Sequence, residues 1–201
     1  MVKRPDKIAL WIIRHGKPDV PANARRVTRE EFNQYLVDYD QAGLSAEEAE
    51  RLSLRYRDYP KPGLVLASDL PRALETAKIF ARGTPIVTDP LLREVPVQLP
   101  QYDGWFLNGR WPGEVWWSYL RLAWFRGLQR ETPDVSRARA RQAIELLEAH
   151  RYRYGPLAIV SHSGFLLILI NQMHRERRIS GPRLPSIEFG RPTGYQWSGK
   201  L

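Results

Sequence analysis

The chain contains no cysteine. That absence excludes disulfide bonds, thiolate catalysis and cysteine-ligated zinc, and it fits a reducing compartment. Long apolar runs are missing as well. No stretch approaches the roughly 18 apolar residues that a membrane-spanning helix needs. Lys3 and Arg4 precede an apolar run over residues 8–13, but the run is too short for the core of a signal peptide and ends in Arg14-His15. A soluble, cytoplasmic protein is expected. There is no internal repeat and no linker long enough to divide the chain, so all 201 residues are expected to form one domain.

What the chain does have is globular composition, 43% hydrophobic and 26% charged, with a formal net charge of +9. Such a surface suits an anionic small substrate, an acidic protein or nucleic acid. The arginines are dispersed along the chain, from Arg25, Arg26 and Arg29 to Arg175, Arg177 and Arg178, and do not form one tail. Most are expected on solvated helical or loop faces, and nucleic acid is the least favoured partner.

Strand-like and helix-like runs alternate, which points to a largely parallel α/β sheet. Residues 8–13, 64–67, 86–87 and 157–160 read as strands. Residues 30–39 have helical character. Ser45 and Glu48 have capping-box spacing ahead of a helix with Ala49, Leu52 and Tyr56 on its buried face. Ser68 or Asp69 is expected to cap the next helix, which holds Pro71 in its first turn and runs to about Ala81. Residues 116–128 and 136–150 are further helices, the second burying Ala140, Ala143, Ile144 and Leu147. Residues 165–173 read as a buried helix, and 187–189 and 195–197 as short strands or extended chain.

Three strand ends carry reactive groups. The first strand stops at Arg14-His15-Gly16, the second at Ser68-Asp69 with Arg72 one turn into the next helix, and the fourth at Ser161-His162-Ser163-Gly164. In open α/β sheets ligands bind at the carboxyl ends of strands. If these strands are parallel neighbours, Arg14, His15, Arg72 and His162 converge there with helix N-termini, which is the composition of a phosphate site. Neutral His15 would attack phosphorus, and the arginines would neutralise the oxygens without a metal.

Three segments resemble the histidine phosphatase superfamily, the phosphoglycerate mutase-like group, in their residues and in their order. They are Ile12-Ile13-Arg14-His15-Gly16, Ala67-Ser68-Asp69-Leu70-Pro71-Arg72-Ala73-Leu74-Glu75-Thr76-Ala77 and Ile159-Val160-Ser161-His162-Ser163-Gly164. Gly43-Leu44-Ser45 extends the likeness over most of the chain. The resemblance implies that His15 is the phosphorylated nucleophile, that Arg14 and Arg72 bind the phosphoryl group, and that His162 completes the pocket. It places Glu94, in Leu92-Arg93-Glu94, as the proton donor. Asp69 and Asp103 are rivals for that role, and a surface ion pair is the plainer use of Glu94. Lys17-Pro18 and Ser163 depart from the commonest family pattern and bear on the substrate.

The expected fold is a three-layer α/β/α sandwich around a mostly parallel sheet, with a Trp-rich insertion or cap over residues 96–124. Within it Trp105 and Trp111 are expected nearer the site, and Trp116 and Trp124 packed. The expected activity is metal-independent hydrolysis of phosphomonoesters through a phosphohistidine on His15, with no cofactor and a small phosphorylated substrate. Mutase-type transfer, a phosphoprotein substrate and a non-catalytic phospho-ligand or nucleic-acid module are the alternatives. Ser161 and Ser163 lie outside any Gly-x-Ser-x-Gly elbow, so a serine triad is excluded. A metal held by His15, His162 and Glu94 would be opposed by the arginines. His150 and His174, near helix C-termini, are given no function.

Overall fold

The computed structural model describes residues 9–21, 26–99 and 104–198. Six strands form one sheet in the order β3-β2-β4-β1-β6-β5. Their ranges are β1 Leu10–Arg14, β2 Leu64–Ala67, β3 Ile86–Thr88, β4 Leu157–Ser161, β5 Ile179–Ser180 and β6 Pro192–Trp197. The first four run parallel to one another, and β6 and β5 close the other edge antiparallel.

The central strands β1, β2 and β4 are buried on both faces, the habit of parallel sheets. Alternate residues feed two separate cores. Leu10, Ile12, Leu64, Leu66, Leu157 and Ile159 pack with Ala140, Ala143, Ile144 and Leu147 of α5 (Pro133–Tyr154) and with Phe165, Leu166 and Leu169 of α6 (Ser163–Arg175). Trp11, Ile13, Val65, Ala67, Ala158 and Val160 pack on the other side. Their partners are Leu52 and Tyr56 of α2 (Ala46–Tyr56) and Ala73, Ala77 and Phe80 of α3 (Pro71–Ala81). The result is the expected α/β/α sandwich.

A third core lies apart from the sheet. Val27, Phe32, Leu99, Leu107, Trp116 and Leu120 join α1 (Arg29–Gln41) to α4 (Gly113–Phe125) and to the chain before it. Here α1 carries the full capping box: Thr28 Oγ1 accepts from Glu31 N, and Glu31 Oε2 accepts from Thr28 N.

Several local expectations need correction. Ser45 accepts from Glu48 N as expected, but the Glu48 carboxylate turns to Lys17 N (2.9 Å) and Arg51 and does not close the box. Neither Ser68 nor Asp69 is the N-cap of α3. Leu70 holds that position without a side-chain bond, and Pro71 opens the helix. Ser68 Oγ instead accepts from Leu70 N (3.3 Å). The aromatic helix α4 starts and stops three residues early, and residues 187–189 form no strand. Among the described residues no helix is long and apolar enough to cross a membrane.

Candidate active site

Parallel pairing puts the two histidine-bearing strand ends side by side. Arg14 stands opposite Ser161 in the register, and His15 N donates to Ser161 O (2.9 Å). The rings of His15 and His162, which follow, lie 4.9 Å apart between centroids. Both are buried, at 2% and 0% exposure. His15 Nδ1 is 2.6 Å from the carbonyl of Gly16. A carbonyl only accepts, so Nδ1 carries the hydrogen and neutral His15 holds its lone pair on Nε2. Burial, then the charge of Arg72 and more weakly that of Arg14, pushes its pKa down to about 3 against the partial support of the Gly16 bond. His162 is likewise held well below the ordinary value, first by burial and then by His15 and the arginines. Both rings are neutral at physiological pH.

The arginines approach from different directions. Arg14 lies with its guanidinium carbon 3.7 Å from the centre of the Phe189 ring, and its Nη1 donates to Ile187 O (2.7 Å). That segment is pinned on the end of β1 by Gly190 N, which donates to the carbonyls of Arg14 (3.0 Å) and His15 (3.2 Å). Only glycine suits position 190: its φ is +67°, and a Cβ would meet Leu52 Cδ2 at 2.1 Å. Arg72, 1% exposed, rests on the end of α1, with the Tyr39 ring 4.6 Å from its guanidinium carbon. One turn on, Thr76 Oγ1 accepts from Gly16 N (2.8 Å) and donates to Arg72 O (2.6 Å), tying the His15 loop to α3. Arg14 Nε, Arg72 Nε and His162 Nδ1 are buried without a hydrogen-bond partner. Buried polar atoms in native structures are nearly always paired, so three at one spot call for an explanation.

Residues 10–188 match the family model of the histidine phosphatase superfamily, branch 1. The chain belongs to the histidine phosphatase superfamily. Its fold is similar to that of a mycobacterial glucosyl-3-phosphoglycerate phosphatase in complex with VO3, at 20% identity and a TM-score of 0.54 over 95% of this chain and 98% of that one. It is also similar to YhfR of Bacillus stearothermophilus (22% identity, TM-score 0.51, 83% and 79% covered). The alpha-ribazole phosphatase of Shigella flexneri is a third neighbour (19% identity, TM-score 0.50, 94% and 96% covered). No curated protein matches the sequence significantly.

The carboxylates of this superfamily member sort clearly. Glu94 is no surface ion-pair partner. Its Oε1 accepts from Phe165 N (2.8 Å) and Val95 N (3.0 Å), and its Oε2 from Gly164 N (3.2 Å), so it sits on the N-terminus of α6 directly beyond His162. A Cβ on Gly164 would come 2.7 Å from Glu94 Oε1, so the glycine is what admits the carboxylate. The Tyr39 hydroxyl lies in the field of Glu94, Arg14 and Arg72 together, which joins Glu94 to the same cluster. Asp69 is spent on Arg93, with two bonds of 2.6 and 2.5 Å. Asp103 falls outside the described residues.

Four site residues escaped the sequence. Ser68 Oγ lies 2.9 Å from His162 Nε2, and Tyr39, Asp40 and Phe189 support the arginines. Ser68 had one signal, its place at a strand end beside Arg72. The expectation for the tryptophans holds only in part. Trp116 is fully buried, and Trp124 packs against the first core. Trp105 and Trp111 have Phe106 and each other as ring neighbours and make no ring contact with a site side chain among the described residues. Among those residues no three His, Asp or Glu side chains gather as metal ligands.

Proposed function

We propose that this protein hydrolyses phosphomonoesters through a phosphohistidine on His15. The observation that carries the reading is the Nε2 lone pair of a buried, neutral histidine beside three unpaired polar atoms, Arg14 Nε, Arg72 Nε and His162 Nδ1. With the Ser68 hydroxyl donating to His162 Nε2, 2.9 Å away, the imidazole hydrogen sits on Nδ1. All three unpaired atoms are then N–H donors. A phosphoryl group is an acceptor-rich partner of the right charge.

In the first step His15 Nε2 bonds to phosphorus as the ester P–O bond breaks, and the leaving alcohol takes a proton from Glu94. The Gly16 carbonyl keeps the Nδ1–H in place as the ring becomes cationic. The arginine and His162 donors stabilise the equatorial oxygens as charge develops. In the second step water gives a proton to the Glu94 carboxylate and attacks phosphorus. The N–P bond breaks, inorganic phosphate leaves, and the His15 lone pair is restored. The side chains supply the positive charge that a metal supplies elsewhere. Hydrolysis is the reading favoured over mutase-type transfer. The described residues 104–124 of the Trp-rich segment serve as a cap within one domain, and the substrate is a small phosphate ester. A cytoplasmic setting fits the cysteine-free sequence.

Hydrolysis of an aryl phosphate between pH 5 and 8, with excess chelator, tests the mechanism. Turnover is expected to resist chelation, to be inhibited by vanadate and to vanish in His15→Ala. Activity that survives in His15→Ala, or that chelator removes, would overturn the assignment.

A further inference from the structure

Among the described residues, Arg72 is the side chain that caps the C-terminus of α1. The last turn of α1 has no basic residue, and Ala42 leaves it in an extended conformation with no left-handed cap. The terminal carbonyls of a helix need donors, and its C-terminus attracts cations. Arg72 supplies both from α3. Nη1 donates to Tyr39 O (2.7 Å) and Asp40 O (3.3 Å), and Nη2 donates to Asp40 Oδ1 (3.1 Å).

The guanidinium is a rigid planar fork. With both Nη atoms fixed on one helix end, the direction of the Nε–H is fixed too, and Nε is the one nitrogen of Arg72 left unpaired. Arg14 is held differently, by the Ile187 carbonyl, the Phe189 ring face and the Tyr39 hydroxyl. We propose that Asp40, together with the last carbonyls of α1, is the positioning element that aims Arg72 Nε at the phosphoryl group. The inference rests on the phosphatase reading of the site. Asp40 touches no reacting atom and acts through Arg72. Its side chain is 65% exposed, which screens its charge, so the direction of its hydrogen bond outweighs Coulomb attraction.

The test is binding of inorganic phosphate, measured by calorimetry on the intact chain and independent of turnover. Asp40→Ala should weaken phosphate binding about tenfold when Arg72 is present, the usual effect of losing a hydrogen bond to a charged group. The same change should have no effect in an Arg72→Ala background, because its whole action passes through that side chain. Asp40→Asn keeps an acceptor at Oδ1 and should stay within about threefold of wild type. Asp40→Leu, which has bulk but no acceptor, should repeat the alanine result; the exposed position lets both variants fold. Equal losses with and without Arg72, or an Asn variant as weak as Ala, would overturn the positioning role alone. Wild type that fails to bind phosphate would overturn the phosphatase reading, and the positioning role with it.

Discussion

His15 and His162 stand at the ends of strands whose side chains fill the two sheet cores, whereas Arg72 rests on α1, a helix with one fully buried residue, Phe32. The first region places its groups by backbone register. Once β1 and β4 pair, Arg14 meets Ser161 and the next residue of each strand is a histidine. The second places its group by side-chain contacts. Phe32 stacks near Trp116 (6.0 Å) and Tyr35 (6.0 Å), Tyr35 meets Tyr39 (5.8 Å), and Tyr39 lies against both Arg72 and His15. His15 is therefore as rigid as the sheet, while the orientation of Arg72 depends on an aromatic core some distance from it.

The largest effect that separates the regions should come from Trp116→Ala. Trp116 is fully buried in the third core, and its Nε1 donates to Val27 O (3.1 Å). That carbonyl also accepts from Trp111 N (3.0 Å), so the substitution strands no acceptor and the loss is one of packing. Deleting a buried tryptophan typically costs about 3–5 kcal/mol. Urea unfolding should show a loss of that size, with phosphate binding weakened through α1. A cost below about 1 kcal/mol would mean that the third core is too loosely packed to hold Arg72, and the contrast would fail.

A smaller effect belongs to the strand ends alone. A histidine whose pKa is depressed on folding binds fewer protons folded than unfolded, so stability rises with pH. For His15 the window runs from about 3 to the ordinary value of 6.5, with no further change above it. Each such histidine contributes about 1.4 kcal/mol per pH unit inside its window. Urea midpoints taken at half-unit steps from pH 5 to 7.5 should climb to about 6.5 and then level. His15→Asn should reduce the climb and leave the share of His162, and Trp116→Ala should lower the whole curve without changing its slope. A slope unaltered in His15→Asn would show that the histidine is not held neutral by the fold.

The legibility of the two regions in the sequence follows the same division. Strands of four or five apolar residues ending in Arg14-His15-Gly16 or Ser161-His162 are local patterns, and parallel pairing of the strands then brings their ends together. Glu94 was legible by resemblance, but its seat on α6 was not, because that seat depends on Gly164 across 70 residues of chain. The supports of the arginines join positions 33 residues apart for Arg72 and Tyr39, and 173 apart for Arg14 and Ile187. They join backbone carbonyls, which every residue has, to the Tyr39 and Phe189 rings and the Asp40 carboxylate, none of which stands in a local motif that marks it. The Ser68 and Asp69 caps failed for a related reason. Both side chains had better partners in the folded chain, His162 with the Leu70 amide for one and Arg93 for the other.

Trp105 offers the smallest effect and the finest control. It lies eleven positions before Trp116 and contacts the same aromatic group through Phe106 and Trp111, yet it is 83% exposed. The transfer free energy of a side chain scales with the area removed from water, so an exposed ring adds little to folding however many neighbours it touches at its edge. Trp105→Ala should therefore change the urea midpoint by no more than about 0.5 kcal/mol equivalent, against several for Trp116→Ala. It should leave phosphate affinity unaltered, because it lies beyond the aromatic contacts that reach Tyr39. A loss comparable to that of Trp116 would place Trp105 inside the third core in solution and extend the support of Arg72 out to the tip of the Trp-rich segment.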